Sequence, residues 1–392
     1  MDFTYTEEQE MVRELAATFA KNYVAPLSEQ MDIDNTMPHH IAEKMAELGF
    51  MGINVPEEYG GAGMDEVSKA LVIMEIAKVD ASVAELLAVH TLTNDIFLKR
   101  GTEEQKKKYL ALGASGKVGA FALTEPGAGS DASAAKTKAI SDGDDYIING
   151  TKCFISNMGP EEGDYVVLIA LTDPSAGTKG MSAIVVDRNT PGFSVGKLEN
   201  KMGLRGANVS ELIFQDCRVP KSNLLGKEGE GFKIAMAALD GGRIGMASQA
   251  VGIAEGAIDL AVAYAKERVQ FKKPISANQG IQWYFADIAT STEAAKMLTL
   301  QAADLRQRGQ NIGKLAAMAK YYASENAVTV TNKALQIHGG YGYMKEYAIE
   351  RMYRDARITT LYEGTSEVQK MVISRAVLTK VSKNSPSSTG GR

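Results

Sequence analysis

The stretch "DDYIINGTKCF", residues 144–154, is rich in branched and aromatic residues and carries Asn149-Gly150 at its centre. That composition reads as β-strand, and Asn-Gly between Ile148 and Thr151 predicts a two-residue hairpin turn. Its neighbours share the character. "VGAFALTE", "DYVVLIALT", "GMSAIVVD" and "SELIFQDCRV" are further short β runs within residues 118–220, joined by Gly, Pro and Asp turns. Strands in such a series, with no helical pattern between them, predict a small barrel or sandwich and not a doubly wound parallel sheet.

Outward from this zone the period changes to that of helices. On the N-terminal side, Thr6-x-x-Gln9 and Thr102-x-x-Gln105 are capping boxes. Met11, Leu15 and Phe19 recur on one predicted helix face, as do Ile41, Met45 and Leu48 before Gly49. On the C-terminal side, long segments over roughly 229–270, 277–308, 312–338 and 366–380 predict a four-helix bundle. The expected organisation is multi-domain α+β: a helical domain over 1–117, a β domain over 118–225 and a helical bundle over 226–382. The Ser/Gly-rich end, 383–392, is expected to be disordered.

At 392 residues the chain is longer than one hydrophobic core usually supports, which agrees with three domains. A net charge of −5 with both signs mixed argues against a nucleic-acid binder. Cys153 and Cys217 are the only cysteines, so a disulfide framework is excluded and a reducing, cytoplasmic setting is favoured. The acidic start "MDFTYTEEQEM" shows no secretory signal, and no uninterrupted apolar run approaches the ~20 residues of a membrane span. His39, His40, His90 and His338 lack metal-ligand spacing, so no metal site is expected.

Five stretches are candidates for chemistry. "FALTEPGAGSD" (121–131) ends a β run in small residues and hydroxyls, which suits an anion or the polar edge of a flat cofactor; an ordinary strand-ending loop accounts for it equally. In "CFISN" (153–157), Phe154 reads as core on spacing alone. "LDGGRIGMA" (239–247) places two glycines and Arg243 in a helix, which implies either a close approach or a kink. Gly339-x-x-Gly342 follows no strand and fails the context of a dinucleotide fingerprint, so it reads as a helix cap. Arg268 and Phe271 read as a helix-surface pair. In "LYEGTSEVQK" (361–370), Ser366-x-x-Gln369 is a capping box that leaves Glu363 just outside a helix N-terminus. That account explains neither Tyr362 nor Gly364.

Together, "LTEPGAGSD", "FISN", "LDGGRIGMA", "RVQFKKPI", "QIHGGYGYMKEY" and "RDARITTLYEGTSEVQ" occur in the order and spacing of the acyl-CoA dehydrogenases, which the chain resembles from its first helix to about residue 380. The character is that of the short-chain, butyryl-CoA-type members. The resemblance implies an N-terminal helical domain, a middle β domain, a C-terminal four-helix bundle and a homotetramer binding FAD. It implies that Phe121, Leu123, Thr124, Ser130, Phe154, Ile155, Ser156, Thr365, Ser366 and Glu367 contact FAD. Arg268, Phe271, Gln279, Gln336, Gly339 and Gly340 would reach the FAD of a neighbouring subunit. Ser130 would also lie near the thioester, Asp240 and Arg243 near the nucleotide part of CoA, and Tyr362 and Gly364 beside the substrate.

Glu363 matches the family's catalytic base. It would remove the α-proton of an acyl-CoA thioester while the β-hydrogen leaves as hydride to the flavin. Electrons would pass to an electron-transferring flavoprotein. The same residues run backwards make an enoyl-CoA reductase working with a bifurcating flavoprotein; an acyl-CoA oxidase and a non-catalytic acyl-CoA binder are the rival classes. Two departures stand out: Lys272 where the family commonly has glycine, and Met158 in "FISNMG".

Overall fold

The computed structural model describes residues 4–383; the tail "NSPSSTGGR" lies outside them, and Lys383 still belongs to the last helix. The N-terminal part is built from α1 (Glu7–Phe19), α2 (Ser28–Asp34), α3 (His40–Glu47), α4 (Glu66–Ala77), α5 (Ala81–Arg100) and α6 (Glu103–Ala114). Both expected capping boxes form, at Thr6 and Thr102. The buried stripe of α1 is Val12, Ala16 and Phe19, one residue round the helix from the expected face. Met11 is 72% exposed and Leu15 39%, so only Phe19 of the predicted trio enters the core.

The middle strands are β1 (Gly119–Ala122), β2 (Lys138–Asp142), β3 (Asp145–Ser156), β4 (Tyr165–Leu171), β5 (Met181–Asp187), β6 (Phe193–Leu198), β7 (Val209–Pro220) and β8 (Leu224–Leu225). They form one mixed sheet in the order β6-β7-β3-β2-β4-β5-β8, with β1 paired to β4. Ile148, Leu212 and Phe214 on one limb share a core with Val166, Leu168 and Ile184 on the other. The sheet therefore folds over its own interior, as the barrel expectation requires. The opposite face of β4 and β5, through Val167, Ile169 and Val185, packs on Ile96, Phe97 and Tyr109 of α5 and α6.

The Asn149-Gly150 hairpin does not form. The turn lies at Gly143-Asp144, between Asp142 and its partner Asp145, and β3 runs straight through Asn149. Asn149 serves a bulge instead. The β3–β7 register shifts between Ile148 and Gly150, and the Asn149 side chain donates to Asp216 Oδ1 at 3.0 Å while accepting from its N–H at 2.9 Å. Asn-Gly is as useful to a bulge as to a turn, because both need unusual backbone.

The C-terminal part has α7 (Gly231–Glu267), a two-strand ribbon of β9 (Val269–Gln270) and β10 (Lys273–Pro274), then α8 (Gln279–Gln307), α9 (Gly313–His338), α10 (Ala348–Ile358) and α11 (Ser366–Lys383). Four long helices match the expected bundle; α10 is additional. By length and composition α7 could cross a membrane, but 67% of its most apolar window is buried within the protein, as in a core helix. Its face is paved with Ala247, Ala250, Val251 and Ala254 against α4, α5 and α9.

One buried ion pair shapes the loop after β1. Lys152, fully buried, donates to Glu125 Oε1 at 2.8 Å and to the Leu123 carbonyl at 2.9 Å. Glu125 also accepts the N–H groups of Lys136 and Thr137 at 2.7 and 3.0 Å. Removing one partner of such a pair strands the other charge out of water, at about 3–5 kcal/mol. Glu125→Ala is therefore expected to lower the thermal midpoint by several degrees in calorimetry; an unchanged midpoint would contradict the role given to this pair.

Candidate active site

Between α10 and α11 the chain enters left-handed backbone twice, at Glu363 (φ 53°) and Gly364 (φ 90°). For glutamate that conformation is uncommon and strained. Three hydrogen bonds hold it. Lys320, in the first third of α9, donates to the Gly364 carbonyl at 2.8 Å. Gln369 Nε2 donates to the Glu363 carbonyl at 3.0 Å and to the Gly364 carbonyl at 2.9 Å. Gln369 is thus a clamp and not half of a capping box. Thr365, not Ser366, caps α11 by accepting the Val368 N–H at 3.3 Å, and Ser366 donates to Glu325 at 2.5 Å. A Cβ on Gly364 would lie 2.7 Å from Gln369 Nε2, so the clamp occupies the space beside this glycine.

The Glu363 side chain turns inward. Among the described residues its buried Oε2 has no hydrogen-bond partner, and burial pushes the carboxyl up to about 7 against the opposing pull of Arg243 and Lys320. Room for the carboxylate comes from α7, where a Cβ on Gly242 would lie 2.7 Å from Oε2 and 2.8 Å from Leu92 Cδ1. Close approach is therefore what the glycine pair provides: Gly241 similarly underlies the Arg306 guanidinium, and α7 runs on without interruption. Arg243 is buried beside the base and donates to Asp240 at 2.5 Å. Its Nε has no partner. Tyr362 donates its hydroxyl to Gln249 Oε1 of α7.

The residues of the β zone are arranged differently. Phe154 lies on left-handed backbone (φ 57°) and is 65% exposed, so the reading of it as core fails. Ile155 is buried inside the sheet, leaving only its backbone to face a ligand. Ser156 donates to Glu85 Oε1 of α5 at 2.6 Å. Across from them, Phe121 and Thr124 are half-buried, Leu123 is buried and Ser130 is exposed. An exposed ring beside hydroxyls and free backbone is a surface that a flat heteroaromatic group would cover, so these residues fit a flavin.

A third group stands at the far end of α9. Arg268, Gly339 and Gly340 line a cleft of about 580 Å³ with Tyr264, His338 and Tyr341, and the Arg268 guanidinium lies 5.2 Å from the Tyr341 ring centre. Phe271 is not on a helix. It tips the β9–β10 ribbon, 94% exposed, with Phe271 and Lys272 both left-handed (φ 52° and 65°). A lysine therefore sits where backbone geometry favours glycine, which accounts for the family's glycine; nothing in the structure explains the lysine. Gln279, Gln336 and Glu367 are exposed.

The chain matches three domain descriptions in succession: acyl-CoA dehydrogenase N-terminal domain over residues 6–117, middle domain over 120–217 and C-terminal domain over 229–378. This chain belongs to the acyl-CoA dehydrogenase family. It is 55% identical over 381 residues to acryloyl-CoA reductase (NADH) of Anaerotignum propionicum, covering 96% of both chains. It is 48% identical to subunit CarC of the caffeyl-CoA reductase–Etf complex of Acetobacterium woodii, covering 96% of this chain and all of that one. Butyryl-CoA dehydrogenase of Megasphaera elsdenii superposes with a TM-score of 0.94 at 44% identity, over 96% of this chain and all of the other. The protein is accordingly an FAD-dependent oxidoreductase acting on acyl-CoA.

Sequence reasoning overlooked Lys320, Gln249 and Glu85, and gave Gln369 a capping role in place of the clamp it forms. Lys320 carried a signal, since it interrupts the buried stripe of Ala316, Ala319, Ala323 and Ala327. A lone cation on the apolar face of a helix needs a buried acceptor. Because Gly242 faces only the movable end of Glu363 and a leucine methyl, Gly242→Ala is expected to displace the base more than it destabilises the fold. Flavin reduction by acyl-CoA should slow about 10²-fold with FAD content unchanged; a normal rate would remove Gly242 from the site.

Proposed function

We propose that the protein interconverts a short acyl-CoA and its trans-2-enoyl-CoA, with Glu363 as the base. The observation that carries this reading is a carboxylate oxygen buried without a partner among the described residues, close against Gly242 and Leu92 and within electrostatic reach of Arg243. An α C–H is acidic enough only when charge growing on the thioester oxygen meets fixed donors. A carboxylate becomes a stronger base when it is taken out of water. Glu363 would take the α-proton and Arg243 would hold the carboxylate's orientation from the α7 side. FAD, when bound, supplies the acceptor for the β-hydrogen. Phe121, Leu123, Thr124, Ser130, Phe154, the Ile155 backbone, Ser156, Thr365, Ser366 and Glu367 would hold it in one subunit.

Arg268, Phe271, Gln279, Gln336, Gly339 and Gly340 would complete the FAD site of a neighbour in a homotetramer. Phe271, Trp283, Tyr343, Met371 and Leu378 are each more than half exposed and offer apolar surface that such an assembly would cover. Domain limits of 1–117, 118–225 and 226–382 and a cytoplasmic setting belong to the same reading. A short acyl chain is supported by likeness to the acryloyl-CoA and butyryl-CoA enzymes, and an electron-transferring flavoprotein partner by likeness to the Etf-complex subunit. Two of those relatives are named as reductases, so the reverse direction is the second reading. Then Glu363 would deliver the proton as a carboxylic acid.

These directions respond oppositely to pH. With Glu363 held at about 7, kcat/KM for dehydrogenation should rise with pH and level off above that value. Enoyl-CoA reduction should fall over the same interval. Glu363→Gln should keep FAD and thioester binding but slow anaerobic flavin bleaching by about 10²–10⁴-fold. Bleaching at the parent rate would rule out Glu363 as the base.

A further inference from the structure

Glu85 is 2% exposed, and only one of its oxygens is occupied, by the Ser156 hydroxyl. Oε2 is buried without a partner. The cation whose field acts on it is Lys201, whose Nζ is also buried without a partner among the described residues. The two attract one another but form no ion pair among the described residues; each is left with capacity that none of those residues fills. Burial pushes the Glu85 carboxyl up to about 6 and the Lys201 ammonium down.

Their place relative to the base follows from how α5 crosses α7. Leu92 meets Gly242 at the Glu363 carboxylate, Ala88 meets Gly245 (Cβ position to Cβ 3.3 Å), and the Ala81 carbonyl accepts from Gln249 at 2.7 Å. Glu85, Ala88 and Leu92 lie at i, i+3 and i+7 on one face of α5. Glu85 thus stands two turns, about 10 Å, along the helix from the residue that touches the base. It stands one turn from Ala81, whose carbonyl meets the Gln249 that holds Tyr362, and is within electrostatic reach of both Tyr362 and Glu363. A thioester with its α-carbon at Glu363 would send a short acyl chain along this line.

We propose that Glu85 and Lys201 form a polar far end to the acyl pocket and select short acyl-CoA thioesters with a hydroxyl on the terminal carbon. This inference rests on Glu363 being the base. A methyl terminus would leave the buried carboxylate without a donor, which is unfavourable. An ammonium would satisfy Glu85 but be repelled by Lys201. A hydroxyl donates to one and accepts from the other, which is the combination the two orphaned atoms require.

The test compares butyryl-, pentanoyl- and hexanoyl-CoA with their terminal-hydroxyl counterparts in anaerobic reduction of the FAD-loaded enzyme. In the unmodified protein the best hydroxylated substrate should exceed its plain counterpart in kcat/KM by about tenfold or more, chiefly through KM. Glu85→Leu should reverse that preference. Equal use of both series, or preference for the plain one, overturns the inference and leaves Glu85 as a stop that merely shortens the pocket. This outcome needs only the unmodified protein. If neither series bleaches the flavin, the assignment of the base fails first and takes this inference with it.

Discussion

The structure turns on one left-handed step in the backbone, at Glu363 and Gly364, and on the donors that hold it. Such a step is unfavourable for glutamate by itself. Lys320 from α9 and Gln369 from α11 place three hydrogen bonds on its two carbonyls. The bundle therefore serves as a frame that forces a carboxylate inward where α11 begins. Lys320 is fully buried, and burial lowers its ammonium to about 8 against the pull of Glu363. The same cation thus fixes the backbone of the base and tempers its charge.

Burial and charge oppose one another at this carboxylate, and burial prevails. Arg243 and Lys320 favour ionisation, yet the carboxyl still sits at about 7 instead of the ordinary 4.5. Linkage gives the sign of the effect on stability. The contribution of Glu363 is greatest below 4.5 and is lost as pH rises through about 7, so the functional ionised state is the costly one for the fold. The glycine at 242 leaves free the space that this carboxylate occupies. Arg306 contributes a similar buried network beneath Gly241, pairing with Asp95 at 2.5 Å and Glu66 at 2.8 Å.

The order of helices, sheet and helices was legible because it is written in periods of 3.6 and 2. The caps at Thr6 and Thr102 were legible because each lies within four residues. What failed involved partners distant in sequence. Asn149-Gly150 carries the chemistry of a turn, but Asp216 converts it into a bulge. Ser366 and Gln369 have capping-box spacing, but Glu325 and the left-handed carbonyls compete for them more effectively. Phe154 was misread because a left-handed residue breaks the alternation from which its facing was inferred. Glu363 stood out from its neighbours and Lys320 interrupts an alanine stripe; Glu85 and Gln249 become visible only once their helices are packed.

The central claim is that Glu363 presents its carboxylate to the α-carbon of a bound thioester. The most direct measurement is a crystal structure of the FAD-loaded enzyme with a non-oxidisable acyl-CoA analogue. The account predicts a Glu363 carboxylate oxygen within about 3.5 Å of the carbon standing for the α-position. A carboxylate turned to solvent, or an α-carbon seated against some other base, would contradict it.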